Sequence, residues 1–170
     1  MTENGSAQKM ALWKAILISL AIIVVALGYM MGTSYLGLND PWIAFLALTV
    51  WGATGMKMEQ APGIFLGGAV GLLISYGVVA LPEMYGDLAI LIPLAAIILS
   101  ISFVIVGRFK LIFNFGMFTF MTIGSAGFVN ENMFHLSYLQ DLAFGALCFW
   151  ILPWAVTSFM RKTPAKQSDN

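Results

Sequence analysis

The sequence predicts an all-α fold, a polytopic membrane protein with six transmembrane helices and both the N-terminus and the C-terminus cytoplasmic. Three observations predict it. The chain is 60% apolar and 9% charged, with a mean hydropathy of +0.89, whereas roughly a quarter of the residues in a soluble domain are charged. Its apolar runs fall into six segments. Its eight basic residues, Lys9, Lys14, Lys57, Arg108, Lys110, Arg161, Lys162 and Lys166, all lie in the N-terminal segment, the second or fourth connection, or the C-terminal tail. The first, third and fifth connections hold only acids: Asp40, Glu83, Asp87, Glu131 and Asp141. Short loops rich in Lys and Arg stay on the cytoplasmic side during insertion. Residues 1–10 and 161–170 are then cytoplasmic tails around a single six-helix transmembrane domain, 11–160.

Crossing a hydrocarbon core of roughly 30 Å takes about 20 helical residues. The first run, Ala15 to Met31, follows Lys9 and Lys14 as a signal peptide would, but it is too long for the apolar core of one and meets no small-residue cleavage site, which predicts a retained helix. Pro41 to Gly55 is the short one. Making it re-entrant would carry Lys57 and Glu59 to membrane depth, which is costly, so a full crossing with local thinning is expected. Pro62 to Leu81, Leu88 to Val106, Leu111 to Phe128 and Leu139 to Phe159 complete the set. Breakers mark the ends: Asn39, Asp40 and Pro41 open the second span, Pro62 and Gly63 open the third, and Pro82 closes it. Trp13 inside, with Tyr35, Trp42, Tyr85 and Tyr138 outside, falls where interfacial aromatics belong. Residues 1–9 and 163–170 are polar tails without a pattern for folding.

Two spans carry the features that point toward function. The third has Gly63, Gly67, Gly71 and Ser75 at four-residue steps, a small-residue face that lets another backbone approach closely where lipid supplies no drive for association. That face suits packing within the chain or between copies. In the fifth, Thr119, Thr122 and Ser125 recur at three-residue steps among Phe115, Phe118 and Phe120, with Asn114 near the cytoplasmic end. Such a face can line a polar track narrowed by aromatic rings. The competing reading has the hydroxyls bonding their own helix carbonyls and Asn114 capping the helix. A faint internal repeat links Pro62-Gly63-Ile64-Phe65 with Phe115-Gly116-Met117-Phe118, each followed eight residues after its glycine by another, Gly71 and Gly124.

The absences narrow the function classes. No Asp, Glu, Lys, Arg or His is expected between the interfaces, which argues against an ion-coupled exporter. No Ser-His, Cys-His, HExxH or CxxC arrangement appears, so an enzyme is not expected, and neither a cofactor nor a metal is predicted. Cys148 has no partner for a disulfide within the chain. His135, near Asn130, Glu131, Asn132 and Asp141, reads as an exposed loop residue. The basic tail suits anionic lipid headgroups and not nucleic acid. The partners predicted are the lipid bilayer, a second copy of the chain in a homo-oligomer, and another membrane protein.

The run Trp42-Ile43-Ala44-Phe45, the Pro62-Gly63 start of a glycine-stepped helix reaching Tyr76, and Phe115-Gly116-Met117-Phe118 together resemble the small bacterial inner-membrane proteins grouped as domain of unknown function 1097. The resemblance covers roughly Ala15 to Phe159 and implies a bacterial inner membrane; it brings no substrate or catalytic residue. The expectation from the residues is a small permeation protein for neutral or weakly polar solutes, its pathway lined by the third and fifth spans. The alternative is an accessory or scaffold subunit that binds another membrane protein.

Overall fold

A computed structural model describes residues 12–38, 40–126 and 137–154. The tails, including Arg161, Lys162 and Lys166, lie outside the described residues, as do Asn39, the loop residues Asn130, Glu131, Asn132 and His135, and Phe128 and Phe159 at the ends of two expected spans. The fold is all-helical, with no strand among the described residues. It comprises α1 (Leu12–Leu36), α2 (Trp42–Ala53), α3 (Ala61–Tyr85), α4 (Leu91–Val106), α5 (Phe115–Gly124) and α6 (Ser137–Ala146). A 3-10 turn, Asp87–Ile90, leads directly into α4, and a π-helical turn, Leu147–Ile151, continues α6. The stretches Ala61–Tyr85 and Asp87–Val106 are each long and apolar enough to cross a bilayer, with mean hydropathies of 2.2 and 2.9.

The chain divides into two units, residues 1–37 and 38–170. The first holds α1, whose 25 residues extend about 37 Å at the helical rise of about 1.5 Å per residue. Within it Thr33 Oγ1 donates to Met30 O at 2.8 Å, so this hydroxyl is satisfied by its own helix.

The second unit is built from two pairs of parallel helices. In α3 and α5 the contacts ascend together. A β-carbon placed on Gly63 would lie 3.3 Å from Asn114 Nδ2, and one on Gly67 would lie 2.7 Å from Asn114 Oδ1 and 2.9 Å from Ile112 O. One on Gly71 would strike Met117 O, and one on Gly124 would strike Ser75 Oγ. The glycine-stepped face is therefore an interface within the chain. It is the most extensive helix pairing of the unit, and the small residues permit it because any side chain would meet atoms of α5 and the turn before it. The two segments of the faint repeat lie side by side, with Gly116 against Ile64.

The second pair is α2 with α6. Asp40 N donates to Asp141 Oδ2 at 3.1 Å, Trp42 and Tyr138 meet edge-on at 5.8 Å, Gly145 abuts Ala44, and Phe45 and Phe149 lie 6.2 Å apart. Because α2 reaches α3 through a short connection, the pairs run in opposite directions. The stack of Phe65, near the start of α3, on Trp150, just beyond the end of α6, fits that arrangement. Gly86, at φ 86°, turns the chain after α3, and Pro93 of α4 lies beside Gly77, so α4 descends along α3. Gly107, at φ 71°, takes the left-handed position that ends α4. Phe103 then stacks on Phe113 at 4.8 Å and meets Phe109 at 5.3 Å, holding the chain in its return toward α5.

These directions sort the charges. The starts of α2 and α6 and the end of α3 carry Asp40, Asp141, Glu83 and Asp87 at one end of the unit. The ends of α2 and α4 and the starts of α3 and α5 carry Lys57, Arg108 and Lys110, with Glu59 among them, at the other. The segregation inferred from counting loops is thus also a feature of the packing.

Three features differ from the sequence expectation. Pro82, expected to close the third span, lies inside α3, which continues to Tyr85. The expected fifth span begins at Leu111, but Leu111 to Phe113 form turns and α5 begins at Phe115. Asn114 sets that boundary, because its extended backbone and side-chain cap start the helix one residue later. The described helix is 10 residues, about 15 Å long. Asp141, counted with the acids of the fifth connection although the expected sixth span begins at Leu139, lies within α6 and is 0% exposed, so the expectation that the spans hold no acid fails here.

Candidate functional site

At the basic end, where α3 and α5 begin, the structure holds a cavity of about 430 Å³. Its wall includes Thr54 after α2, Glu59 and Gln60 before α3, and Lys110, Asn114 and Phe115 before and at the start of α5. Asn114 organises this region. Its Oδ1 accepts from Met117 N at 3.2 Å, capping α5, and its Nδ2 donates to Gly63 O at 2.8 Å and to Lys110 O and Leu111 O at 3.2 Å. One side chain thus caps one helix and ties it to another. Only an amide supplies donor and acceptor in that geometry. Gly67 is required at the same point, since a β-carbon there would lie 2.7 Å from Asn114 Oδ1 and 2.9 Å from Ile112 O, whereas one on Gly63 would only press on the amide at 3.3 Å.

Above the cavity, the candidate residues of α5 separate onto two faces. Phe120 is buried, and its ring fills the notch left by Gly68, where an added β-carbon would be 2.9 Å from Cδ2. It belongs to the packing with α3, together with Gly116, Met117 and Gly124. Phe115 is 64% exposed, Thr122 and Ser125 are exposed, and Phe118 and Thr119 are half-buried. The track of Thr119, Thr122 and Ser125 therefore faces away from α3 and does not meet the face of Gly63, Gly67, Gly71 and Ser75, which is occupied by α5 itself. Thr119 Oγ1 donates to Phe115 O at 2.9 Å and Ser125 Oγ to Met121 O at 2.8 Å, so both hydroxyls bond their own helix. Their oxygens still accept. Ser75 Oγ likewise donates to Leu72 O at 2.8 Å from a fully buried position opposite Gly124.

At the acidic end lies a second polar cluster that sequence reasoning missed. Asp40 Oδ1 accepts from Trp42 Nε1 at 3.3 Å, Asp40 N donates to Asp141, and Tyr138 packs on Trp42. Burial, followed by the neighbouring Asp40 carboxylate, pushes the Tyr138 phenol up from its usual range, so it remains a neutral hydroxyl through physiological pH. Four-residue spacing along α6 and the turn that continues it (Asp141, Gly145, Phe149) is the available signal that Asp141 shares the face that packs on α2. Among the described residues no cluster of three or more His, Cys, Asp or Glu side chains could hold a metal ion. Cys148 is half-buried in the π-helical turn.

Comparison of the chain with protein-family models, with curated proteins and with solved structures found no match.

Proposed function

We propose that this protein is a small integral membrane permeation protein, a channel or facilitator for neutral or weakly polar small solutes, working as a homo-oligomer in a bacterial inner membrane. It crosses the bilayer six times with both termini cytoplasmic. The observation that carries the reading is the division of α5: one face is locked onto α3, while the opposite face leaves Phe115, Thr122 and Ser125 uncovered, and Phe115 also lines the cavity where α5 begins. In this mechanism the cavity is the cytoplasmic vestibule. Threonine and serine oxygens replace part of a solute's hydration along α5, and Phe115 and Phe118 set the width. Neighbouring copies close the pathway, because α3 and α5 leave no room between themselves. The segregation of Lys57, Arg108 and Lys110 from the acids supports the orientation.

Osmotic light scattering on proteoliposomes tests the pathway. Solute-dependent swelling should exceed that of empty liposomes and fall several-fold in Thr122→Phe. Thr49→Phe, a change at an exposed threonine of α2, should leave the rate intact. Equal rates in both variants would remove α5 from the pathway. A further check addresses topology: an impermeant thiol reagent should label Asp87→Cys in intact cells, and Lys57→Cys or Lys110→Cys only after lysis, all in a Cys148→Ser background. The alternative, an accessory subunit, is favoured by α4, whose apolar side chains are mostly uncovered. It predicts stoichiometric co-purification of a second membrane protein and no flux from folded, inserted chain.

A further inference from the structure

Asp141 is a carboxylic acid placed where a carboxylate is hard to keep. It sits just over one turn into α6, 0% exposed, at the interface with α2. One oxygen, Oδ2, accepts the Asp40 backbone N–H at 3.1 Å, while Oδ1 is buried with no hydrogen-bond partner among the described residues. A buried carboxylate ordinarily carries a cationic partner or a full set of donors, since removing the charge from water costs more than one hydrogen bond returns. Asp141 has neither. Among the described residues, the charged group that acts on it is a second carboxylate, Asp40, which has the same sign.

Among the described residues, the surrounding elements offer no cation. Along α2 (Trp42–Ala53) there is no titratable residue; α3 brings Tyr76, Glu83 and Tyr85, all exposed; α6 itself brings Tyr138, neutral at physiological pH. The positive ends of the α2 and α6 dipoles are favourable fields, and such fields are smaller than the cost of burying an ion. Glu131 and His135 lie outside the described residues.

We propose that Asp141 is a proton-binding site, and that release of its proton unseats the start of α2 from α6. The reaction is a simple ionisation: the carboxyl O–H bond breaks, both electrons stay on the oxygen, and the proton passes to water at the acidic end. In the protonated state Asp141 keeps its bond to Asp40 N and carries no charge. Once ionised it repels Asp40, which lies immediately before the first turn of α2. A metal cation is a poorer occupant, because no third ligating side chain of the carboxylate, imidazole or thiol class is present among the described residues. The site stands independently of any permeation pathway.

Infrared difference spectroscopy of the full-length chain in detergent, titrated between about pH 4 and pH 9, tests the proposal directly. The expected result is a carbonyl-stretch band of a protonated carboxylic acid that persists above the range in which exposed aspartates ionise, disappears in Asp141→Asn, and survives in His135→Gln and Glu131→Gln. In Asp40→Asn the band should persist but titrate at lower pH, because the like charge that opposes ionisation is gone. Thermal unfolding gives a second readout. The folded chain holds a proton that the unfolded chain has released, so wild-type stability should fall as pH rises through this titration. Asp141→Asn, which mimics the neutral acid, should fold and lose that slope. A band unaffected by Asp141→Asn, a slope that follows His135 instead, or an Asp141→Asn chain that cannot fold would each overturn the proposal, the last by showing that α2 needs the ionised carboxylate.

Discussion

Replacing Gly71 with leucine is expected to leave no folded protein in detergent extracts. The reason is the identity of the atoms that a side chain would meet. A β-carbon on Gly71 strikes Met117 O and lies 2.9 Å from Met121 N, both backbone atoms of α5 held in the helical ladder. Inserting a methylene among flexible side chains costs about 1–3 kcal/mol because they can rearrange; backbone cannot yield without separating the helices. Against a total stability of about 5–15 kcal/mol, loss of the largest interface in the unit is decisive. Gly77 on the same helix is the contrast. A β-carbon there finds Leu81 Cδ1 at 3.6 Å and Pro93 Cβ at 3.7 Å, ordinary contact, so Gly77→Ala should change stability by no more than about 1 kcal/mol and, through helix propensity, in the favourable direction. Size-exclusion profiles and thermal unfolding of the two variants provide the measurement. A monodisperse Gly71→Leu protein with wild-type stability would show that α3 and α5 do not meet at this level.

The second large effect is expected at Asn114. At an ordinary exposed N-cap, asparagine and aspartate are nearly equivalent. Here they should differ sharply. An aspartate in place of the asparagine could still accept from Met117 N, but it would turn an acceptor toward the carbonyls of Gly63, Lys110 and Leu111, which now receive the Nδ2 hydrogens. Asn114→Ala should cost about 1–3 kcal/mol through the lost cap and the stranded Gly63 carbonyl. Asn114→Asp should cost at least as much despite keeping the cap. Unfolding midpoints of the three chains at neutral pH decide it: an aspartate variant as stable as wild type would reduce Asn114 to a simple cap and remove its bond across to α3.

The helices are legible in the sequence because apolar runs and breakers act locally. Pro62 sits in the first turn of α3, where its missing N–H costs nothing, and Gly107 ends α4 where a left-handed residue is needed. The four-residue glycine spacing likewise announces a close approach, and the structure supplies its partner. That partner is harder to foresee. Choosing α5 over a second copy depends on the offset that places Gly116 and Gly124 opposite Ile64 and Ser75, a match between two distant stretches that neither stretch reveals alone. The fifth span illustrates the same limit. Its phenylalanines look alike in sequence, yet Phe120 fills the Gly68 notch while Phe115 is left uncovered, because their positions on a 3.6-residue helix point them to opposite faces. Asp141 escapes for a related reason: acids near a loop read as loop residues, and only the pairing of α2 with α6 buries this one.

The parallel pairing of α3 with α5 and α2 with α6 also has a consequence for biogenesis. Parallel neighbours cannot be consecutive in the chain, so each must wait for a later segment. The tie between Gly63 and Asn114 spans 51 residues and that between Asp40 and Asp141 spans 101. At a synthesis rate of about 5–20 residues per second, α3 leaves the ribosome roughly 3–10 s before its partner exists, and α2 waits roughly twice as long. During that interval the bare glycine groove is presented to lipid, to the translocation machinery and to any other nascent copy. α6 is therefore the latch of the assembly, and a chain stalled or cut before Ser137 would leave α2 without its seat and the quality-control proteases with an open substrate.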